Sequence, residues 1–140
     1  MSIPEEVVFS VSLIKKGKGT GVLFKSENSQ LKEVPMSPGV YRVFSKTDKR
    51  TFYCGETGNL FKRLTFLFRC NSANNPHPCH RAYEAAYGRP IEAIKFCEEF
   101  SVAIINTEGL IGRLEIEDKL KLQYKSNNKN FYEKWLNQSS

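Results

Sequence analysis

The feature that most restricts the fold of this chain is a pair of short strand-like segments followed at once by a helix-like segment. Val40–Phe44 and Thr51–Cys54 are rich in β-branched and aromatic residues, and a polar turn separates them. From Leu60 onward, apolar residues recur at i, i+4, i+7 and i+8, which is the spacing of one helical face. The three segments predict an antiparallel hairpin that packs against a helix.

Further elements follow this unit along the chain. A polar loop is predicted over residues 71–78 and a short helix over Arg81–Tyr87, ended by Gly88. The run Phe100–Ile105 has the length and composition of a buried strand, and a longer helix is predicted over residues 110–125. Strands interleaved with helices favour an α+β, layered fold: a small three-stranded, mainly antiparallel sheet flanked by helices.

The N-terminal third of the chain differs from the remainder. Val7–Ile14 is rich in apolar and β-branched residues, a Lys- and Gly-rich stretch interrupts it, and Val22–Phe24 resumes the strand-like pattern. We therefore expect residues 1–38 to form a β-rich extension, most simply a hairpin, ahead of one domain over residues 39–136. No chemistry is assigned to the extension.

Length and charge limit the class of protein. With 140 residues, the chain is long enough for one domain with a real core. It contains no run of eighteen apolar residues, and its first residues lack the features of a signal peptide, so we expect a cytoplasmic protein with no membrane span. Lys and Arg exceed Asp and Glu by 21 to 15, and the net charge of +6 is compatible with a polyanionic partner.

The four cysteines form no CxxC pair, and without a secretory signal a disulfide framework is not expected. Cys70, His77, Cys79 and His80 lie close together in the sequence, but their spacing matches no common zinc template. We expect no structural zinc at these four residues and free, largely buried thiols instead.

The motif Gly39-Val-Tyr41, followed by Tyr53-Cys-Gly55 and then by Arg63 ten residues after Tyr53, resembles the GIY-YIG nuclease superfamily. Thr57, Asn59 and Leu60 also match that pattern, and the resemblance extends from Gly39 to Asn130. It implies a GIY-YIG-like sheet and a metal-dependent DNA endonuclease that hydrolyses phosphodiester bonds.

The resemblance also implies a division of labour that agrees with the chemistry of these residues. Tyr41 and Tyr53 would act near the attacking water, and a neighbouring cation that lowers a tyrosine's pKa would let it take the proton. Arg63 would bind the phosphate, because the planar guanidinium matches two phosphate oxygens. A glutamate would hold one Mg²⁺ or Mn²⁺ ion, which screens the charge that develops.

The metal-binding glutamate is expected in the helix over residues 110–125. This helix has a predicted apolar face at Leu110, Leu114, Leu120 and Tyr124. Glu117 lies near the middle of that face, where a carboxylate needs a charged partner, and Leu120 follows it by three residues as in the family pattern. We predict Glu117 as the metal ligand, with Glu115 as the alternative. A simple pair with Arg113 at i, i+4 is the other interpretation of Glu117.

The remaining candidates are less closely tied to the motif. Some family members have a histidine four residues after the arginine, but here that position is Leu67. His77 and His80 are the histidines that could act in its place. The candidate substrate-binding residues are Gly55, Thr57, Asn59, Lys62 and Asn130.

Two further interpretations stay open from the sequence. The chain could be a non-catalytic nucleic-acid-binding module on the same fold, although the expected catalytic residue types are all present. DNA is the expected partner. A homodimer would let one site per subunit cut both strands, but nothing in the sequence indicates one.

Overall fold

The structure, a computed structural model, describes residues 5–27, 31–70 and 76–137. The strands of the described part are β1 (Val7–Lys16), β2 (Gly19–Ser26), β3 (Gly39–Ser45), β4 (Thr51–Thr57) and β5 (Phe100–Asn106). The helices are α1 (Leu60–Arg69), α2 (Pro78–Tyr87), α3 (Ala93–Glu99), α4 (Arg113–Tyr124) and α5 (Lys129–Glu133). The loop predicted over residues 71–78 lies outside the described residues as far as residue 75. None of the described helices is long and apolar enough to cross a membrane.

The strands form one antiparallel sheet in the order β2-β1-β5-β3-β4. The predicted pairing of β3 with β4 is confirmed, and β5 lies beside them in the same sheet as expected, paired with the other side of β3. The predicted number of three strands is wrong, because the described residues alone form a sheet of five. The β1–β2 hairpin is not separate from this sheet: residues 7–9 of β1 pair with residues 102–104 of β5 and so cover an edge that would otherwise be exposed.

Helices cover both faces of the sheet. On one face, apolar side chains of β3, β4 and β5 pack with those of α1, α2 and α3 in the larger core. On the other face, a smaller core joins Val40, Cys54 and Ile105 of the sheet to Ile116 and Leu120 of α4. Alternation along β3 explains the division, since Val40 and Tyr41 point to opposite faces. The α+β, layered character predicted from the sequence is confirmed.

Two helices differ from their predicted form, and two others were not predicted. α2 begins at Pro78 rather than at Arg81, because His77 caps its first turn. The short helices α3, before β5, and α5, after α4, were not predicted. The apolar face predicted for α4 is wrong in its first half, because Leu110, which precedes the helix, and Leu114 are exposed. Its second half is confirmed, since Leu120 is buried and Tyr124 packs against the smaller core. The two leucines at the start of the predicted helix therefore do not lie on its buried side.

Candidate active site

The first element of the site is the close approach of Tyr41 on β3 to Gly55 on β4. These two residues are register partners in the antiparallel pair. A Cβ atom at position 55 would lie 2.5 Å from both the Cζ atom and the hydroxyl oxygen of Tyr41. A side chain at position 55 would therefore displace the tyrosine, which is only 1% exposed. The glycine allows Tyr41 to lie across β4.

Tyr53 lies beside Tyr41 because it lies two residues from Gly55, the register partner of Tyr41, and so on the same face of β4. The register shifts between Val43 and Phe44, so that Val43 faces Tyr53 and Phe44 faces Thr51. As a result, Phe52 and Tyr53 both contribute to the larger core. The ring centroids of Tyr41 and Tyr53 are 6.3 Å apart. Two tyrosines separated by eleven residues in the sequence thus reach one place through the pairing of β3 with β4.

His77 completes a contact with Tyr41. Its Nε2 atom lies 2.8 Å from the Tyr41 hydroxyl oxygen, and its side chain is 0% exposed. The Nδ1 atom of His77 accepts a hydrogen bond of 2.9 Å from the backbone N–H of Cys79. A neutral imidazole that accepts at Nδ1 carries its proton at Nε2. His77 therefore donates to the Tyr41 oxygen, which leaves the hydroxyl proton of Tyr41 available for another acceptor.

His80 holds His77 in position. The Nδ1 atom of His80 accepts from the backbone N–H of His77 at 3.2 Å, which completes a capping box at the start of α2. Its Nε2 atom lies 2.7 Å from the carbonyl oxygen of Leu67, which can only accept, so Nε2 donates. Both ring nitrogens of His80 thus have backbone partners, and the residue ties the start of α2 to α1.

Arg63 approaches the same group from α1. Its guanidinium carbon lies 5.6 Å from the ring centre of Phe66, and the Phe66 ring packs at 6.3 Å from that of His77. The positive charge of Arg63 acts on Tyr41, Tyr53 and His77. We call these four residues, Tyr41, Tyr53, Arg63 and His77, the tyrosine–histidine cluster.

Two opposing effects act on the pKa values of both tyrosines: burial and the charge of Arg63. Burial raises the pKa of Tyr41 and Tyr53 well above the usual value of about 10, and this outweighs the opposing effect of Arg63. Arg63 therefore lowers the pKa of both tyrosines, as expected of a neighbouring cation, but by less than burial raises it. Without a further positive charge, both hydroxyls stay protonated at neutral pH.

The pKa of His77 moves in the other direction. Burial, followed by the nearby charge of Arg63 and by His80, lowers the pKa of His77 to about 3. His77 is therefore neutral throughout the physiological range, in agreement with its hydrogen bonds. A neutral donor next to a neutral tyrosine leaves Arg63 as the positive charge of the tyrosine–histidine cluster.

Glu117 lies at the edge of this group, where its charge acts on Tyr53. The side chain of Glu117 is 14% exposed, and its Oε1 atom lies 3.4 Å from the Nζ atom of Lys121. Burial raises the pKa of Glu117, and the neighbouring carboxylate of Glu56 adds to the rise. The Nε atom of Arg113 lies 2.6 Å from the Oε2 atom of Glu56, so Arg113 pairs with Glu56 and not with Glu117. The alternative interpretation of Glu117, a pair with Arg113, is therefore wrong, and Glu117 pairs with Lys121 instead.

The donor set around Glu117 fits a weakly held, hydrated ion. Among the described residues, no group of three or more His, Cys, Asp or Glu side chains is placed to hold a metal. Glu56 and Glu117 already pair with Arg113 and Lys121, so an ion at Glu117 would be held largely through water, as Mg²⁺ commonly is in sites with few protein ligands. Glu115, the alternative ligand, is exposed on the same helix.

Comparison with known proteins identifies the family of the chain. The sequence profile of the GIY-YIG catalytic domain matches residues 37–130. The chain belongs to the GIY-YIG catalytic domain family. The UvrABC system protein C of Actinobacillus succinogenes is 54% identical over 41 residues, which are 29% of this chain and 7% of that protein. The chain thus matches only a small part of that relative's length. No solved structure matches significantly. Membership indicates a nuclease domain, which is a hydrolase.

In this GIY-YIG domain, two of the predicted substrate-binding residues shape the start of α1. The Oδ1 atom of Asn59 accepts from the backbone N–H of Lys62 at 3.0 Å, and this caps the helix. The Oγ1 atom of Thr57 accepts from the Asn59 N–H at 3.1 Å. Together these two contacts define the start of α1, and so the position from which the Arg63 side chain extends towards the tyrosines. Lys62 itself is exposed.

A residue that was not predicted lies behind β4. Asn127 accepts from the Cys54 backbone N–H at 2.9 Å and donates to the Cys54 carbonyl oxygen through Nδ2 at 2.6 Å. It thereby occupies both backbone groups of Cys54, next to Tyr53 and Gly55. Asn130, the residue chosen from the sequence, is exposed on α5. Asn127, Asn128 and Asn130 lie close together in the chain, and the sequence alone does not rank them. In the structure, Asn127 has a positive φ of 63°, a conformation that asparagine tolerates.

The four candidate zinc residues have other partners in the structure. The Cys70 thiol donates to the Leu67 carbonyl oxygen, and Cys79 is buried in the larger core. His77 and His80 form the capping box of α2. Their proximity in sequence therefore serves to join the end of α1 to the start of α2, and the prediction that no zinc binds them stands as a prediction.

Proposed function

We propose that this GIY-YIG domain is a divalent-metal-dependent DNA endonuclease that hydrolyses phosphodiester bonds at the tyrosine–histidine cluster. The observation that supports the proposal most is the convergence of Tyr41, Tyr53, Arg63 and His77, brought together from two strands and two helices. A cluster of neutral donors around one arginine is suited to an anionic substrate whose charge increases in the transition state.

Arg63 is the residue that we propose for the scissile phosphate. It is the positive charge that acts on both tyrosines and on His77, and a guanidinium can donate to two phosphate oxygens at once. An arginine also keeps its charge at every relevant pH. It would therefore stabilise the phosphorane without taking part in proton transfer.

Tyr41 is proposed to donate to the substrate. Because its oxygen accepts from His77, Tyr41 keeps its own proton for donation, and it would donate that proton to a phosphate oxygen that reaches the site. His77 is thus a positioning residue for Tyr41, and His80 positions His77 through the capping box.

Tyr53 is proposed to hold the attacking water. Its hydroxyl makes no hydrogen bond to a residue within the described part of the chain. The charges of Arg63 and Glu117 both act on it, the first lowering its pKa and the second raising it. As a neutral phenol it can accept a hydrogen bond from the water and orient it towards phosphorus.

Nucleases of this family generally depend on a divalent metal ion. Glu117 is the residue that would hold Mg²⁺ or Mn²⁺, with water completing the coordination. When bound, the ion supplies positive charge that stabilises the phosphorane and lowers the pKa of a nearby water or phenol. We propose that five further residues contact or approach the DNA backbone around the cleaved bond: Gly55, Thr57, Asn59, Lys62 and Asn130.

The test is nicking of supercoiled plasmid in Mg²⁺ by wild type, Glu117→Gln and Glu115→Gln. We expect wild type to nick the plasmid, EDTA to abolish nicking, and only Glu117→Gln to lose it in Mg²⁺. The exposed Glu115 on the same helix is the matched control. Nicking that is unchanged in EDTA, or a loss confined to Glu115→Gln, would contradict the proposed metal site. DNA binding without nicking under any condition would favour the non-catalytic module.

A further inference from the structure

We propose that a cleft on the outer face of α1 binds one unstacked DNA base next to the phosphate held by Arg63. The proposal rests on the proposed function, because it concerns the same substrate. It adds a substrate preference: DNA with an unpaired or easily unstacked nucleotide beside the cleavage position.

The cleft has the size and apolar character that a base requires. Its volume is about 440 Å³, within the range of roughly 300–1,000 Å³ that is usual for small-molecule sites. Met36, Phe61 and Phe66 provide its apolar walls, and Thr65 lies between them. Met36 is 75% exposed and Phe61 is 37% exposed. Apolar side chains this open to solvent are typical of residues that contact a partner.

The charge around the cleft favours a nucleic acid over an apolar or basic partner. Lys62 and Arg69 also line it, and both are exposed. Neither forms an ion pair with a described residue. The described residues that line the cleft include no aspartate or glutamate. Two cations beside aromatic side chains are the combination by which proteins bind single-stranded nucleic acid.

The cleft is connected to the tyrosine–histidine cluster through Phe66. This ring lines the cleft and also lies 6.3 Å from His77 and 6.1 Å from His80. The guanidinium carbon of Arg63 lies 5.6 Å from the centre of the same Phe66 ring. A strand whose phosphate lies on Arg63 therefore brings its neighbouring nucleotide to the cleft.

The N-terminal hairpin makes the cleft rigid. Phe24 of β2 contacts Phe61 edge to face, with ring centroids 6.3 Å apart, and Phe24 packs in the same way on Phe68 at 6.1 Å. A fixed aromatic ring loses little conformational entropy when a base stacks on it. The hairpin thus gains a role in substrate binding.

The experiment measures DNA affinity in EDTA, where no cleavage is expected, with two fluorescent hairpin duplexes of equal length. One is fully paired and the other has a single unpaired adenine. The proteins are wild type, Met36→Ala, Met36→Ala with Phe61→Ala, and Ile94→Ala, which removes an exposed apolar side chain on α3 as the matched control. Circular dichroism verifies that each protein is folded.

We expect wild type to prefer the duplex with the unpaired base. The double variant should lose about tenfold in affinity for that duplex, the effect of losing one base–aromatic stack, and little for the paired one. Met36→Ala should give a smaller loss in the same direction, and Ile94→Ala none. Equal affinities of wild type for the two duplexes, or equal losses on both, would overturn the proposal.

The proposed endonuclease activity and the proposed base-binding cleft are tested by separate outcomes. If wild type nicks no DNA in Mg²⁺, the proposed endonuclease activity is wrong, whereas the base preference is decided by binding alone. If wild type nicks DNA but shows no preference that depends on Met36 and Phe61, only the cleft proposal is wrong.

Discussion

The hydrogen bond between His77 and Tyr41 is the contact that determines how the individual residues of the site behave. It requires a neutral imidazole with its proton on Nε2, and the buried position of His77 lowers the pKa to about 3 in agreement. The sequence suggested His77 and His80 together, without distinguishing them. Only the backbone partners of each ring separate a residue that touches Tyr41 from one that holds the helix.

The lowered pKa of His77 predicts how stability depends on pH. The unfolded chain takes up a proton at His77 near pH 6.5, whereas the folded protein takes it up only near pH 3. The contribution of His77 to the free energy of unfolding is thus fully present above pH 6.5 and declines as the pH falls through that window. The maximum slope is about 1.4 kcal/mol per pH unit.

Urea unfolding of wild type and His77→Gln at pH 7.5 and pH 4.5 measures this contribution. We expect the wild type to lose more stability than the variant between the two pH values. Part of the dependence should stay in the variant, because burial also lowers the pKa of His80. The same loss in both proteins would show that His77 is protonated alike in the folded and unfolded states.

At the scale of the elements, pairing of β3 with β4 is what the sequence predicted best. Alternating β-formers around a polar turn indicated these strands, and the leucines of α1 indicated the helix that follows. The bulge at Phe52 and the exposed side of α4 were not predictable, because both depend on which neighbours cover each face. Five strands instead of three also followed from a contact between distant segments, β1 and β5.

The close packing of β3 against β4 predicts the effect of a methyl group at position 55. Gly55→Ala should reduce cleavage strongly and lower stability by about 1–3 kcal/mol, because the new Cβ occupies the space of the Tyr41 ring. Gly58→Ala is the matched control, since a Cβ there meets no atom within 4 Å. Cleavage rates and thermal unfolding of both variants test this. Equal behaviour of the two alanine variants would contradict the packing described for Tyr41.

The whole molecule depends on its N-terminal third more than the sequence suggested. Phe9 and Val11 of β1 are buried in the larger core. The segment after the hairpin supports α1, because the backbone N–H groups of Leu60 and Phe61 donate to carbonyl oxygens at positions 37 and 35. Helix N–H groups at this end have no partners within the helix, so the segment supplies them.

Truncation distinguishes these two contributions. A protein that begins at residue 31 keeps the carbonyl groups that support α1 but lacks the hairpin, and one that begins at residue 39 lacks both. We expect thermal unfolding temperatures to fall in the order full chain, 31–140, 39–140, and the shorter two to aggregate through the exposed edge of β5. If 39–140 unfolds at the temperature of the full chain, the hairpin is an independent appendage.

The most direct test of the proposed site is single-turnover cleavage at saturating DNA, with gel shifts on the same proteins. Arg63→Ala should lower the cleavage rate by about two to three orders of magnitude, the usual effect of removing one group that stabilises transition-state charge, while its DNA affinity falls only modestly. Tyr53→Phe should bind as wild type does and cleave far more slowly. Lys62→Ala should weaken binding and reduce its salt dependence, with little effect at saturation. Cleavage by Arg63→Ala and Tyr53→Phe at the wild-type rate would show that the chemistry does not occur at the tyrosine–histidine cluster.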